Sequence, residues 1–424
     1  MSSALPSYEQ ASAQVAAFRA QLGRKGPSVE RVELVHASGR ILAQPLVADQ
    51  DQPPFSRSTR DGFACRATEV STHAFLSVAG STHAGEAPSG PLPPNAAWEI
   101  MTGAPVPAGA DSVVMIEHVE RSGDKVRLLP PRSIGAGDNV VARGAQARRG
   151  DELLPAGSAI GPAQIALAAT CGCAALEVFV RPRVAILTTG DELVPADSEP
   201  APGQIRNSNA PMLAALVASA GGDPRVLPTA ADTDQALDVA LAQAAEADLL
   251  LISGGVSAGK FDLVEPALAR AGARFHFTGV RIQPGKPLVF GERPRHRAGS
   301  QPTGELGIQP FFGLPGNPVS SAVTFLLFAA PVLAALAGSG ASSPRFAAAQ
   351  LAQDTDRRGK PGLTRFLPAW CDPNPPSGQL PQVATVTWQG SGDLAAFARS
   401  NCFVVVPEDA GRLEAGTIVR ILTF

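Results

Sequence analysis

The sequence is poor in charge and in aromatic side chains. Charged residues make up 17% of its 424 residues, aromatic residues make up 5%, and the chain has a single tyrosine. The formal net charge is −3, and we find no basic run of the kind that binds nucleic acid. Apolar residues reach 45%, which is ordinary for a globular protein. The composition therefore argues against a nucleic-acid partner.

Cysteine and histidine are too few, and too irregularly spaced, to form a recognisable metal or redox motif. The five cysteines are an odd number, and Cys171 and Cys173 lie too close together for a CxxC motif. The six histidines show no metal-ligand spacing. We therefore expect reduced structural thiols in a reducing compartment.

A cleavable leader and a membrane span are also not expected. The N-terminal segment has no long apolar core and predicts an amphipathic helix with Ser7 as its N-cap. Residues 320–339 carry no charge and are nearly long enough to cross a bilayer, but half of them are small and Pro331 interrupts them. We predict a helix packed inside a soluble domain, with no membrane partner.

The middle of the chain alternates strand-like and helix-like segments. Buried-strand patterns at 183–189, 225–229 and 248–253 are separated by helix patterns at 210–222 and 233–247. This alternation predicts a three-layer α/β domain with a mostly parallel sheet. We place this domain at residues 181–340.

The flanking segments predict smaller units and make the protein multidomain, α/β plus β. Residues 56–142 contain short strand patterns broken by proline and glycine, which indicate a β-rich domain. Residues 1–55 and 143–180 contain helical pieces and are predicted to form one connecting, elongated element. Residues 345–424 predict a C-terminal β domain, which we expect to resemble a barrel.

Three loops of the α/β domain carry acidic residues where strands end. They contain Gly190, Asp191 and Glu192; Asp232; and the glycine-rich stretch 253–262. That stretch resembles a phosphate-binding loop, with Gly254, Gly259 and Lys260, but Phe261 stands where a Ser or Thr is expected, and the carboxylate of Asp262 follows it. Because ligands bind beyond the carboxyl ends of parallel strands, we predict that the carboxylates share a magnesium ion with a ligand phosphate.

Plainer interpretations exist for each acidic residue. Asp262, followed by Glu265, fits a helix cap, and Asp232 could cap the helix at 233–247. Glu192 could be a solvated loop residue. The placement of all three at one sheet edge favours a site over two separate caps and a solvated loop residue.

Two further loops favour an anion. In 313–323, Asn317 is suited to the N-cap and Pro318 to the first helical position, so the free N–H groups of this helix start would attract an anion. Lys286 lies between two prolines after a strand, where a rigid lysine suits an anion. A plain capped helix and a turn lysine are the alternatives.

The ordered motifs of the whole chain resemble one family. The sequence is similar to the molybdopterin molybdenumtransferases, the MoeA family, which includes the E domain of gephyrin. The segments that resemble it are GRILA (39–43), RDGFA (60–64), MTGAPVP (101–107), TTGDEL (188–193), GQIRNSN (203–209), SGGVSAGKFD (253–262), QPGKP (283–287), GLPGNPVS (313–320) and QGSGDLAAFARSNCFVVVP (389–407).

The resemblance implies a molybdopterin-binding type of α/β domain and a defined reaction. Such an enzyme takes adenylylated molybdopterin and molybdate with Mg²⁺, releases AMP and places molybdenum on the dithiolene. It is a cytoplasmic homodimer with the active cleft between subunits. An adenylyltransferase would act upstream, and a molybdoenzyme would receive the product.

The resemblance also assigns roles to individual residues. The catalytic set is Asp61, Thr102, Glu192, Asp232 and Asp262, of which Glu192, Asp232 and Asp262 are the metal ligands. The residues expected to bind the pterin, its phosphate or molybdate are Gly190, Asp191, Ser253, Gly254, Gly255, Ser257, Gly259, Lys286, Pro315, Gly316, Asn317, Pro318 and Ser391.

The chain also departs from the family pattern. Ser56 and Arg57 replace an Asp and an Asn, Gln146 replaces a carboxylate, Gln283 replaces a lysine, and Leu363 replaces an arginine. The last two remove positive charge from the expected molybdate pocket, so the oxyanion should bind more weakly unless Arg57 or Arg365 compensates. A paralogue that binds pterin or a partner without efficient turnover, and an unrelated nucleotide-hydrolysing enzyme, are the alternatives.

Overall fold

The computed structural model describes residues 5–22, 27–255, 263–295, 307–340, 344–355 and 362–424. The predicted fold class is confirmed: a central α/β domain is accompanied by a β-rich domain, an extended connecting element and a C-terminal barrel. Ser257, Gly259, Lys260 and Asp262 lie outside the described residues.

The α/β domain is built on a six-stranded sheet. Its strands are β1 (Arg183–Thr188), β2 (Asp223–Val226), β3 (Leu249–Ser253), β4 (Arg274–Thr278), β5 (Val289–Arg295) and β6 (Gly307–Leu314). Their order in the sheet is β2-β1-β3-β6-β5-β4. The first four strands in this order are mutually parallel, and β5 is antiparallel to both of its neighbours.

Helices cover both faces of this sheet, as the buried strand sequences require. One face packs against the helix Asn209–Ser219 and the helical segment Pro318–Leu336, and the other packs against Asp234–Gln243 and Val264–Arg270. The chain changes direction across the sheet at β1, because β2 lies on one side of β1 and β3 on the other. A crevice is expected outside the carboxyl ends of β1 and β3.

Strand β6 is not among the strands predicted from the sequence, and it contains Pro310. The strand pairs with β5 over Gly307–Gly313, but its pairing with β3 begins only at Phe311. Pro310 therefore lies where the strand has one neighbour, and its missing N–H costs no bond to β3.

The uncharged segment predicted as a core helix is confirmed. It runs through Pro318–Thr324, a π-helical turn Phe325–Ala329 and Ala330–Leu336. Among the described residues, this is the one helix whose length and composition would suit a membrane span. Within its most apolar window, 78% is buried inside the protein, as expected of a core helix.

The N-terminal helix Tyr8–Leu22 packs on the α/β domain. Ser7 Oγ accepts a hydrogen bond from the Gln10 N–H (3.2 Å), so the predicted cap is present. Phe18 meets Phe290 edge-on at 5.2 Å between ring centroids. This helix therefore packs on the α/β domain, whereas the rest of 1–55 was predicted to join 143–180 in the connecting element.

The connecting element joins two distant segments of the chain. Val29–Glu33 pairs with Ala175–Phe179, and Leu46–Val47 pairs with Glu152–Leu154. Its one α-helix in the described chain is Pro162–Thr170.

The β-rich domain contains a six-stranded sheet and one short ribbon. The ribbon pairs Arg57–Ser58 with Val140–Val141. The sheet strands are Gly62–Cys65, Leu76–Thr82, Ala96–Ile100, Ser112–Met115, Val119–Ser122 and Lys125–Leu128.

The C-terminal strands close into a five-stranded barrel. Closure comes from the pairing of Thr364–Cys371 with both Gln382–Thr385 and Cys402–Val406. Phe346–Leu351 and Ile418–Thr423 complete the barrel, and Leu394–Ala398 is a short helix beside it. The short strand Ile282–Gln283 of the α/β domain pairs with Thr364–Cys371, and this pairing joins the α/β domain to the barrel. All five cysteines are free.

Candidate active site

The loops after β1 and β2 meet through their acidic residues. The Asp232 N–H donates to Asp191 Oδ1 at 3.1 Å. The Glu192 carboxylate folds over Gly190, because a Cβ at Gly190 would lie 2.6 Å from Glu192 Oε2. Two of the three predicted acidic loops therefore come together at the carboxyl edge of the sheet.

Asp232 is not the cap of the following helix, so the plainer interpretation of this residue is wrong. The N-cap is Thr233, whose hydroxyl accepts from the Ala236 N–H at 3.3 Å. Burial, followed by the negative charge of Asp191 and then that of Glu192, raises the pKa of Asp232. A carboxyl held near like charges favours a bound proton or a cation.

The third loop is held against the first by glycine. A Cβ at Gly254 would lie 2.5 Å from the Thr189 carbonyl oxygen, and a Cβ at Gly255 would lie 2.9 Å from Thr189 Oγ1. Both glycines have positive φ, +99° and +61°. The backbone can approach this closely only because neither residue has a side chain.

The predicted metal set cannot be completed from the described residues, because Asp262 is outside them. Within the described ranges, no group of three His, Cys, Asp or Glu residues is arranged to hold a metal. The donor chemistry nevertheless fits a hard cation, since Asp232 and its acidic neighbours offer carboxylate oxygens. The raised pKa of Asp232 marks a place where a cation would relieve repulsion.

The fourth loop, after β6, adjoins the third. A Cβ at Gly316 would lie 3.7 Å from the Gly254 Cα. Asn317 occupies the N-cap position with Pro318 next, as predicted, but its side chain makes no capping hydrogen bond. The predicted anion-binding turn Pro315–Pro318 therefore lies beside the glycine loop.

The C-terminal barrel supplies a loop to the same region. The Val319 N–H donates to the Ser391 carbonyl at 3.0 Å, which places Ser391 against the helix start. Asp393 fixes this loop by accepting from the N–H groups of Ala396 (2.9 Å) and Gln389 (3.0 Å).

Lys286, the lysine predicted to bind an anion, is exposed and follows the short strand Ile282–Gln283.

Asp61 and Thr102 form a separate pair in the β-rich domain. Asp61 Oδ1 accepts from the Thr102 N–H at 2.6 Å and from Thr102 Oγ1 at 2.7 Å. These two bonds, the N–H first, lower the pKa of this exposed carboxyl. Among the described residues, no hydrogen bond joins this pair to the acidic loops of the α/β domain.

Two asparagines that were not assigned a role hold the loops in place. Asn207 Nδ2 donates to Thr188 Oγ1 (2.8 Å) and Thr229 Oγ1 (3.3 Å). Asn209 Nδ2 donates to Ser253 Oγ (2.8 Å) and to the Gly316 carbonyl (2.6 Å). The feature of the sequence that could have indicated them is the Asn-Ser-Asn run that leads into the helix Asn209–Ser219 at this sheet edge.

The charge compensation considered for Arg365 finds no support. Arg365 is paired in register with Gln283, but it is only 4% exposed and its Nη2 donates to the Gly411 carbonyl at 2.8 Å. Its guanidinium is therefore a buried part of the barrel. Gln283 Oε1 is buried and finds no hydrogen-bond partner in the described structure, and Gln146 is exposed.

Comparisons with known proteins cover almost the whole chain. Three family models match in succession: "MoeA N-terminal region (domain I and II)" over 6–172, "Probable molybdopterin binding domain" over 185–335 and "MoeA C-terminal region (domain IV)" over 350–424.

Curated relatives and solved structures agree with these matches. The chain is 35% identical over 400 residues to a molybdopterin molybdenumtransferase of Nostoc sp., covering 93% of this chain and 88% of that one. It is 34% identical to molybdopterin molybdenumtransferase 2 of Mycobacterium tuberculosis, covering 92% and 94%. A crystal structure of the molybdopterin biosynthesis moeA protein from Pyrococcus horikoshii superposes with a TM-score of 0.79 at 28% identity, covering 99% and 100%.

Proposed function

Because this chain belongs to the MoeA family of molybdopterin molybdenumtransferases, it is a transferase of molybdenum cofactor biosynthesis, and we propose that it inserts molybdate into adenylylated molybdopterin with release of AMP. The proposed site is the carboxyl edge of the α/β sheet. The observation that supports it most directly is the meeting of Asp191, Glu192 and Asp232 beside the glycine loop of Gly254 and Gly255.

The residues of this edge suit a phosphate-bearing ligand that arrives with a cation. The glycine loops leave room for phosphate oxygens to approach the backbone closely. The acidic side chains alone would repel those oxygens, so they serve the reaction by holding a divalent cation between themselves and the phosphates. We assign Glu192 and Asp232 to this role, together with Asp262 outside the described residues.

Bound Mg²⁺ would supply charge stabilisation where the phosphoanhydride opens. Lys286 and Ser391 are proposed to bind the molybdate oxyanion, Lys286 as an exposed cation and Ser391 from the loop that meets Val319. With the lysine position at 283 filled by Gln283, molybdate binding depends mainly on Lys286.

Asp61 and Thr102 are proposed to face the same cleft from a second copy of the chain. Their two hydrogen bonds keep Asp61 ionised and fixed, so its carboxylate can accept a hydrogen bond from a ligand. They lie in a different domain from the acidic loops, which is why a homodimer is part of this proposal. We place the reaction in the cytoplasm, where molybdenum cofactor would be assembled.

The test is molybdate-dependent AMP release from adenylylated molybdopterin by the purified protein with Mg²⁺. We expect Asp232→Asn and Glu192→Gln to lower the rate by at least 10- to 100-fold, about the loss seen when a group that orients a metal ligand is removed. Asp197→Asn is the matched control, since Asp197 is an exposed carboxylate on the same segment. If the wild type binds adenylylated molybdopterin but releases no AMP, the proposal is contradicted and a non-catalytic paralogue is indicated.

A further inference from the structure

One asparagine side chain ties together two loops of the site. Asn209 lies at the first turn of the helix Asn209–Ser219, and its Nδ2 donates to Ser253 Oγ (2.8 Å) and to the Gly316 carbonyl (2.6 Å). The first partner is the last residue of β3, where the glycine loop begins, and the second belongs to the loop after β6. Three chain segments therefore meet at one amide group.

The orientation of this amide is fixed by its partners. The Gly316 carbonyl can only accept, so the amide nitrogen must face it. Asn209 Oδ1 is buried and finds no hydrogen-bond partner in the described structure. Both donated bonds therefore point the same way, toward the two loops.

The two segments lie close together beyond the paired strands. A Cβ built at Gly316 would lie 3.7 Å from the Gly254 Cα, and the Gly254 N–H donates to the Leu314 carbonyl at 3.3 Å. Ser253 Oγ has one other partner in the described chain, the Pro315 carbonyl, and that contact is long at 3.5 Å. The Asn209 amide is thus the shortest polar link between these loops.

We propose that Asn209 is a positioning residue that sets the spacing between the glycine loop and the Pro315–Pro318 turn for the ligand's phosphate. This inference rests on the proposed function, because the phosphate is that of adenylylated molybdopterin. Asn209 need not touch the ligand. It holds the backbone of both loops at the distance that the ligand requires.

Asn401 provides a matched comparison in the C-terminal barrel. Its Nδ2 donates to the Cys371 carbonyl at 2.8 Å, and its Oδ1 accepts from the Cys371 N–H at 2.8 Å. A carbonyl oxygen can only accept. Asn401→Asp therefore loses the same kind of bond as Asn209→Asp, which would turn an oxygen toward the Gly316 carbonyl oxygen, but the bond at Asn401 lies within the barrel.

The experiment compares Asn209→Asp, Asn209→Ala and Asn401→Asp with the wild type. We expect both changes at Asn209 to lower kcat/KM for AMP release by about 10- to 100-fold, as for displacements of roughly 1 Å, and to raise KM for adenylylated molybdopterin. Asn401→Asp should keep the wild-type KM for adenylylated molybdopterin, because the carbonyl that it faces lies in the barrel. Loss of folded protein would lower kcat alone, so an unchanged KM in the Asn209 variants would overturn the proposal.

Hydrogen–deuterium exchange gives a readout that does not need turnover. We expect faster exchange in the Asn209 variants at peptides covering 249–255 and 314–319, and unchanged exchange at β2 and its following loop. Faster exchange throughout the domain, or none at these peptides, would contradict a local positioning role. If the wild type releases no AMP, the proposed function fails, and the exchange data alone decide the role of Asn209.

Discussion

Gly254→Ala should disable the site while leaving most of the fold intact. Gly254 has φ of +99°, and a Cβ there would lie 2.5 Å from the Thr189 carbonyl oxygen, about 0.9 Å short of the 3.4 Å at which ordinary contact begins. Thr189 cannot yield easily, because its N–H is bonded to the Ser253 carbonyl across the sheet (3.1 Å). The glycine loop must therefore move by about that distance.

Two separable effects follow from this geometry. The left-handed backbone costs any L side chain about 1–2 kcal/mol, and a loop shift near 1 Å costs roughly 10²-fold in rate. Gly203→Ala is the matched control, because Gly203 has φ of +90° in the same domain but no atom within 4 Å of its Cβ position. Gly203→Ala should lose only the stability.

The assay is AMP release in parallel with thermal unfolding. Both variants should show a fall in Tm, larger for Gly254→Ala because of its clash with Thr189, while only Gly254→Ala should lose about 10²-fold in kcat/KM. Equal activity in the two variants would refute the reasoning, because it would mean that the loop after β3 tolerates a side chain against Thr189.

Three further predictions follow. Asp232→Asn should raise Tm near neutral pH, because the raised pKa of Asp232 means that ionisation of this carboxyl opposes folding. This destabilisation develops as pH rises from the ordinary carboxyl pKa to the raised one. The gain in Tm should therefore vanish in acid, below both pKa values. Thr102→Val should raise the pKa of Asp61 toward its ordinary value, which an NMR titration would detect, and an unchanged pKa would contradict the hydroxyl contact. Phe312→Ala, at a fully buried ring, should cost about 3–5 kcal/mol in denaturant unfolding, whereas Phe55→Ala, 42% exposed, should cost far less.

The acidic residues around Asp232 show which parts of the site the spacing of residues in the sequence can predict. Alternating strand and helix patterns placed Asp191, Glu192 and Asp232 at one sheet edge, because parallel strands end on the same side. The same pattern could not show that Thr233, not Asp232, caps the next helix. Capping depends on backbone geometry over a few residues, and several residues in TAADT could have served.

Other features were invisible because they join residues far apart in the sequence. The link from Asn209 to Gly316 spans 107 positions, and that from Val319 to Ser391 spans two domains. Strand β6 was missed because its proline argues against a strand until the one-sided pairing at that position is known. The compensation considered for Arg365 finds no support, because this side chain is buried and its guanidinium donates to the Gly411 carbonyl.

The sequence by itself determined the α/β core, the barrel domain and the family, because these follow from hydrophobic periodicity and from ordered local motifs. The tertiary structure alone decided which donors hold which loops, how close Gly254 comes to Thr189, and that the Arg365 guanidinium is buried against Gly411. Those properties arise from contacts between segments that the chain brings together only on folding, and local residue patterns do not specify such contacts.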